Sequence, residues 1–480
     1  MEEARSTLTR RQMLRLAGGA AAGMLLAPRA APVSARPVDR HLPFPRRLRL
    51  ARPQRGVVEA TLVAAPATVR VHDRLARLWT YNGSLPGPLL RLREGEHVRL
   101  RLTNRLHEET NLHLHGLRVS PAVDDPFLSI SPGESVLYEF DVPQGSRGLH
   151  WYHPHVHGRV AQQLFAGLAG PILVDAADEP PRPRDVADRV VVLKDLELVD
   201  GAPAPHAFAD WRRGKEGRLL LVNGALAPAL VATDRLLRLR FLNASNARYY
   251  RLALEEHAFR LVASDGHALG QPLVVDELLL APGERADALV ALEREGRFAL
   301  LDLPYDRGAG MMMGGPGGAA GPEPVRLMTI VRPPGIAARA VPPPYAAAED
   351  LRQRPADAVR RLVLAEGMMM GGGFTINGRT FDPGRVELGA RLGTVEVWEI
   401  ENRGRMDHPF HLHTYPFQVL SRNGAPESAV LWKDVVNVRP GEVVRVAVAL
   451  RDFAGRTVFH CHIVEHEDRG MMGTLEVTPA

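Results

Sequence analysis

At 480 residues, with 45% hydrophobic and 24% charged side chains, the chain is too long for one hydrophobic core and has the make-up of a globular protein of two or three domains. Its formal charge of +5 is mostly local: Arg5, Arg10, Arg11, Arg15 and Arg29 against Glu2 and Glu3 leave only about +2 for the rest, and no Lys/Arg cluster is interleaved with aromatics, which argues against a nucleic-acid partner. A single cysteine, Cys461, excludes disulfides within the chain, and 44 glycines with 39 prolines suit a loop-rich β protein.

Residues 1–35 read as an export signal. Thr9–Arg15 (TRRQMLR) carries paired arginines, a short, weakly apolar stretch follows, and Val33-Ser34-Ala35 offers a small-residue cleavage site. The pattern predicts twin-arginine export, which carries folded proteins, and hence a periplasmic, cell-envelope or secreted location. The apolar run is too short to span a bilayer and no other segment is a membrane candidate, so no span is expected after signal removal.

Three copies of one pattern follow. Asn82-Gly83, Asn223-Gly224 and Asn377-Gly378 each precede, by 20 to 25 positions, the end of an alternating strand: HVRLRLTN to Asn104, LLRLRFLN to Asn243, VEVWEIEN to Asn402. Each copy then reaches a Pro-Gly-Glu turn (Pro132, Pro282, Pro440) and a further strand. Alternation with period two is what a half-buried strand needs, and turn residues at this density predict β-sandwiches or barrels. The expected domains are 45–175, 186–333 and 358–480, divided by AADEPPRPRD (176–185) and by a Pro/Ala-rich linker over 334–357.

Four His-x-His pairs lie on this frame: His113/His115 and His153/His155 in the first copy, His411/His413 and His460/His462 in the third. On a strand, residues i and i+2 share a face, so each pair presents two imidazoles to one place. If all eight serve one site, the first and third domains must meet there, with the second as a spacer that carries no ligands. Cys461 lies between His460 and His462 and so points to the opposite face. Its candidate partners are His408, His466 and Met471; two imidazoles, a thiolate and a weak thioether make the ligand set of a blue-copper electron-transfer site. An electron arriving at the Cys461 sulfur has a covalent path to both flanking histidines. His150 and His157 fall off the pairs and read as local structure.

The stretches HLHG, HPHVHG, HPFHLH and HCHIVEHEDRGMM, in this order, resemble the copper signatures of the multicopper oxidases, and from about residue 50 to 480 the chain resembles the three-domain bacterial laccases and cuprous oxidases, most of all the laccase of Thermus-like bacteria. The resemblance implies an all-β protein of three consecutive cupredoxin-like Greek-key sandwich domains and four copper ions as cofactors. It implies a type 1 copper on His408, Cys461, His466 and Met471, and a type 2 copper on His113 and His411. One type 3 copper would take His115, His153 and His462, the other His155, His413 and His460. Substrate would give up four electrons singly at type 1, and dioxygen would become two waters at the trinuclear cluster between domains one and three. Asp124 and Glu467 match the family's carboxylates near the cluster that relay protons, with Asp125 the less favoured neighbour; the bland alternative is that they only orient ligands.

The reductant is the open point. Met311, Met312 and Met313, and again Met368, Met369 and Met370, sit among glycines, while Met406 and Asp407 directly precede His408. Soft thioethers favour Cu(I), and the resemblance sets Met-rich loops over the type 1 site in copper-resistance oxidases. Expected partners are therefore dioxygen and either small phenolic or aromatic reductants or Cu(I), acting on a monomer. The alternatives are a dedicated cuprous oxidase, or a non-enzymatic copper-binding envelope protein.

Overall fold

The structure is a computed structural model that describes residues 41–177, 188–308, 323–336, 349–367 and 373–480. The export signal, both methionine triplets and most of the first domain boundary lie outside the described residues.

Strands dominate, in three groups of two sheets. Strands between Val57 and Asp175 form a four-stranded and a three-stranded sheet, those between Asp188 and Arg332 a seven-stranded and a five-stranded one besides a small two-stranded ribbon (Leu198–Val199 with Ala202–Pro203), and those between Ala358 and Thr478 a six-stranded and a five-stranded one. Each pair encloses its own apolar core, centred on Leu62, Leu100 and Tyr152 in the first, Phe241, Phe259 and Leu300 in the second, and Trp398, Phe410 and Phe459 in the third. The fold is all-β, with only three helices among the described residues: Val160–Phe165, Phe208–Arg213 and Val464–Asp468.

The repeated signatures have one structural meaning. In each group the first long strand runs parallel to the strand that ends in asparagine: Val57–Val71 beside His97–Asn104, Asp188–Leu196 beside Leu236–Asn243, Ala358–Glu366 beside Val395–Asn402. The Asn-Gly pairs occupy positive-φ turns, where these residues cost least. Asn82, Asn223 and Asn377 also accept from the N–H of Val63, Val192 and Val363.

The strand-ending asparagines are buried clamps. Asn104 Nδ2 donates to Glu108 O and Ile130 O, Asn243 Nδ2 to Arg248 O and Leu280 O, and Asn402 Nδ2 to Met406 O and Val438 O. A buried amide must have its donors met, so each asparagine fixes the loop that follows it. In the first and third groups that loop leads straight to His113 and His408. The described end of the linker is packed: Leu351 is buried against Val395, Ala447 and Ala449, and its N–H donates to Gln418.

Candidate metal centres

Cys461 closes the strand Gly455–Cys461, which pairs antiparallel with His408–Leu412 so that Phe410 faces Cys461 and His411 faces His460. That register turns alternate residues to opposite sides of one sheet. On one side, Cys461 Sγ lies 3.4 Å from His408 Nδ1 and 3.8 Å from His466 Nδ1, and these two nitrogens are 3.3 Å apart. His466 is delivered by the short helix Val464–Asp468. Met471 is buried beside them; its carbonyl accepts from Cys461 N–H and its own N–H donates to His466 O. Phe374 stacks on the His466 ring at 3.8 Å. Burial pushes the Cys461 thiol up, while the Ile463 N–H points at its sulfur from 3.4 Å.

On the other side lie eight buried imidazoles. The first group contributes two neighbouring segments, His113 and His153 exchanging backbone hydrogen bonds of 2.8 and 3.2 Å. The third contributes the paired strands just described. The two sets interleave: His113 stacks on His413 at 3.7 Å and His115 on His411 at 3.9 Å. Ring nitrogens converge at 3.3 Å (His113 with His411), 3.2 Å (His155 with His460), 3.1 Å (His413 with His460) and 3.4 Å (His115 with His153). His153, His411 and His460 donate Nδ1–H to the carbonyls of Pro154, Asp434 and Cys461, which leaves Nε2 as the free donor atom in each.

These residues fit metal ions. Two imidazoles on one ion at about 2.0 Å place their nitrogens about 3.3 Å apart, which is the spacing found here. Neither ring nitrogen of the fully buried His462 has a hydrogen-bond partner among the described residues. Such orphaned polar atoms cost free energy unless an ion or water meets them. Burial, reinforced by the repulsion each imidazolium would feel from its neighbours and, for His113, His115 and His462, by Arg285, holds His113, His115, His153, His155, His411, His413 and His462 well below the usual imidazole range, so all are neutral and able to donate to a metal at pH 7. A thiolate with two imidazoles and a thioether, beside a cluster of imidazoles alone, is a copper donor set rather than a zinc one.

Family models described as multicopper oxidase match residues 64–179, 151–308 and 353–480. A multicopper oxidase (mco) of Staphylococcus haemolyticus is 33% identical over 408 residues, covering 83% of both chains. The chain belongs to the multicopper oxidase family. Among solved structures it resembles a multicopper oxidase from Campylobacter jejuni described as a metallo-oxidase (TM-score 0.83, 30% identity, 92% of this chain and 95% of that one). It also resembles a laccase from Pediococcus acidilactici (TM-score 0.81, 29% identity, 92% and 94%). A relative of another name, the cell division protein FtsP of Edwardsiella tarda, is 33% identical over 419 residues, 84% of this chain and 86% of that one.

The carboxylates of this oxidase differ in how they are held. Asp124 accepts from His113 Nδ1 through both oxygens (2.9 and 2.8 Å) and from Leu114 N–H, so its oxygens are occupied in orienting a ligand. Glu467 is fully buried, with Oε1 3.3 Å from His155 Nε2 and Oε2 3.1 Å from His460 Nδ1. Asp125 serves only its own turn, accepting from Phe127 N–H. Near the cysteine site, Asp407 accepts from Tyr305 Oη at 2.5 Å and from Asn437 Nδ2 at 2.6 Å, and half-buried Glu366 lies 3.4 Å from His408 Nε2. Met406 is buried in the core of the third group.

Sequence reasoning passed over Asp434, whose Oδ1 meets His115 Nε2 at 3.0 Å, and Trp151, which stacks on His153 at 4.2 Å. The tryptophan opens the WYHPHVHG motif and was findable there. Asp434 sits in KDVVNV, at the bend between the strands Ala425–Lys433 and Val435–Val438, with no spacing to mark it.

Proposed function

We propose that His408, Cys461, His466 and Met471 hold the copper that accepts electrons from substrate. His113 and His411 would hold a second ion; His115, His153 and His462 a third; His155, His413 and His460 a fourth, within cupredoxin-like domains over 45–175, 186–333 and 358–480. Bound there, copper supplies one-electron redox chemistry, in which four electrons taken singly from substrate reduce dioxygen to two waters. The observation that carries this reading is the position of Cys461. Its sulfur faces one donor set while the peptide neighbours on either side, His460 and His462, face the other, so the backbone itself is the electron path between them.

The protein's own groups do the rest. Glu467, touching two cluster imidazoles and otherwise unbonded among the described residues, is the group that hands protons to the oxygen-reducing side; Asp124 holds His113 in the tautomer that donates Nε2. Phe374 and the surrounding apolar core keep water from the cysteine site. For the reductant we favour a small phenol or aromatic amine reaching His408, with Cu(I) as the second reading. Asp407 N–H bonds to Arg307 O, and Glu366 contacts His408, so the chain on the near side of both methionine triplets adjoins this histidine. We further propose export by the twin-arginine route, function in the cell envelope, and a monomer.

The test is oxygen uptake by the copper-loaded protein offered a methoxyphenol and Cu(I) in parallel, repeated with both methionine triplets changed to serine. Phenol turnover indifferent to the triplets supports a laccase; Cu(I) turnover lost with the triplets supports a cuprous oxidase. A protein that binds no copper and consumes no oxygen with either would overturn both and leave a copper-free envelope role.

A further inference from the structure

The Pro-Gly-Glu turn occurs three times in the same structural place. Gly133, Gly283 and Gly441 all have positive φ (88°, 85° and 73°), and each donates its N–H to the carbonyl of the strand-ending asparagine of its own repeat. Their surroundings are not alike. A Cβ on Gly133 or Gly441 would meet nothing within 4 Å, whereas one on Gly283 would lie 2.9 Å from Cδ2 and Nε2 of His462. The turn of the repeat that carries no ligands is pressed against an imidazole of the cluster.

Two residues on, the same turn places a fully buried guanidinium. Arg285 Nη1 and Nη2 donate to Asp434 Oδ1 and Oδ2 at 2.6 and 2.5 Å, while Nη1 also donates to Gly283 O, Nη2 to Asp265 O and Nε to Leu149 O. A two-point guanidinium–carboxylate pair fixes direction as well as distance. Asp434 Oδ1 is thereby set 3.0 Å from His115 Nε2. That contact puts the ring proton on Nε2 and turns Nδ1, the atom 3.4 Å from His153 Nε2, toward the cluster. Asp265, also from the second repeat, lies 3.3 Å from the N–H groups of Asp434 and Val435 and pairs with Lys433 at 3.0 Å, so the segment carrying Asp434 is held from the same side. The first repeat makes room: a Cβ on Gly116, next to His115, would sit 2.2 Å from Arg285 Nη2 and 2.7 Å from Asp434 Oδ2.

We propose that the Pro282–Arg285 turn of the second repeat is a positioning part of the histidine cluster: Gly283 leaves the space His462 occupies, and Arg285 holds Asp434 so that His115 donates through Nδ1. The second domain is then more than a spacer. The inference rests on reading the imidazole cluster as a copper site.

The test compares matched variants by copper content after dialysis, with the near-ultraviolet absorption and electron paramagnetic resonance of cluster copper read separately from the blue band of the Cys461 site. Gly283→Ala and Gly441→Ala strain the backbone alike, but only the first is expected to lose half or more of the cluster copper, both keeping the blue band. Arg285→Met is expected to lose cluster copper likewise and Arg285→Lys to recover part of it. In the metal-free protein, nitrogen-15 spectra should show His115 as the Nε2–H tautomer, and a tautomer mixture in Arg285→Met. Should Arg285→Met not fold, the glycine pair decides. Full cluster copper in Gly283→Ala, in a folded Arg285→Met, or an equal loss in Gly441→Ala overturns the proposal. An unaltered protein without cluster copper would instead sink the copper reading of the cluster.

Discussion

The two candidate metal centres share a strand and differ in almost everything else. The cysteine site is local: its histidines are 58 positions apart and all its donors come from the third group, on one strand pair and the helix and turn that follow it. The imidazole cluster joins residues 298 and 305 positions apart, such as His113 with His411 and His155 with His460, and leans on a third region through Arg285 and Gly283. Their surroundings differ as well. Phe374, Met471 and an apolar core close the first, where among the described residues half-buried Glu366 touches His408 and buried Asp407 is taken up by Tyr305 and Asn437; three buried carboxylates, Asp124, Asp434 and Glu467, touch the ligands of the second. A site that only exchanges electrons needs a fixed, dry ligand set. A site that makes water needs protons, and hence titratable groups in contact.

The comparison breaks most completely at the residue the two centres share. Cys461→Ser is expected to remove the blue absorption, lower bound copper by one ion and abolish oxygen consumption, while the melting temperature of the metal-free protein stays within a few degrees, since Ser fits the same buried volume. Retention of blue colour in that variant would refute the division into two centres. The next largest effect lies at the domain junction. Asp434→Ala leaves Arg285 buried without its carboxylate, which costs about 3–5 kcal/mol. Denaturant unfolding should register that loss, and the cluster should lose copper before the cysteine site does. Equal loss from both would mean that the centres are not independent.

The same contrast decides what the sequence disclosed. The cysteine site was legible because its spacing is local: the alternation around Cys461 tells which way each side chain faces, and His466 and Met471 follow within one helix and turn. The four histidine pairs were legible for the same reason, and their sharing between the first and third repeats required those repeats to meet. What joins them was not legible. Arg285 belongs to RADALVAL, which reads as one more alternating strand, and Asp434 to the bend between two strands whose pattern carries no metal signature. Their pairing is a tertiary contact between residues 149 positions apart, and nothing periodic announces it. The Pro-Gly-Glu turn misled in a different way: it was recognised three times as a turn, but only packing reveals that one copy faces an imidazole and two face open space.

Acid should separate the centres by number of histidines. The seven cluster imidazoles held low by burial stay neutral in the native metal-free protein, whereas in the unfolded chain they take up protons below about pH 6.5. The unfolded state then binds more protons, so stability is complete above that pH and is lost as pH falls, by up to about 1.4 kcal/mol per pH unit for each histidine. At the cysteine site, His466 adds one group shifted the same way. Melting of the metal-free protein should therefore fall steeply between pH 6.5 and 5, and replacing His113 and His413 with glutamine should flatten the slope more than replacing His466. A slope unchanged by the double replacement would contradict the assignment of neutral, buried cluster histidines.

The smallest effect distinguishes the carboxylates within the cluster. Asp124 already gives both oxygens to His113 and Leu114 N–H, so it acts on ligand geometry; Glu467 has no hydrogen bond among the described residues other than its contacts with His155 and His460. Glu467→Gln keeps the shape and removes the acid. Loss of a positioned general acid costs about 10²-fold in the step that uses it, so oxygen reduction should slow by that order while reduction of the blue site by substrate, followed in single turnover, keeps its rate. Asp124→Asn should instead lower copper retention. If Glu467→Gln leaves oxygen reduction intact and only weakens copper binding, both carboxylates merely orient ligands, and the protons reach the cluster another way.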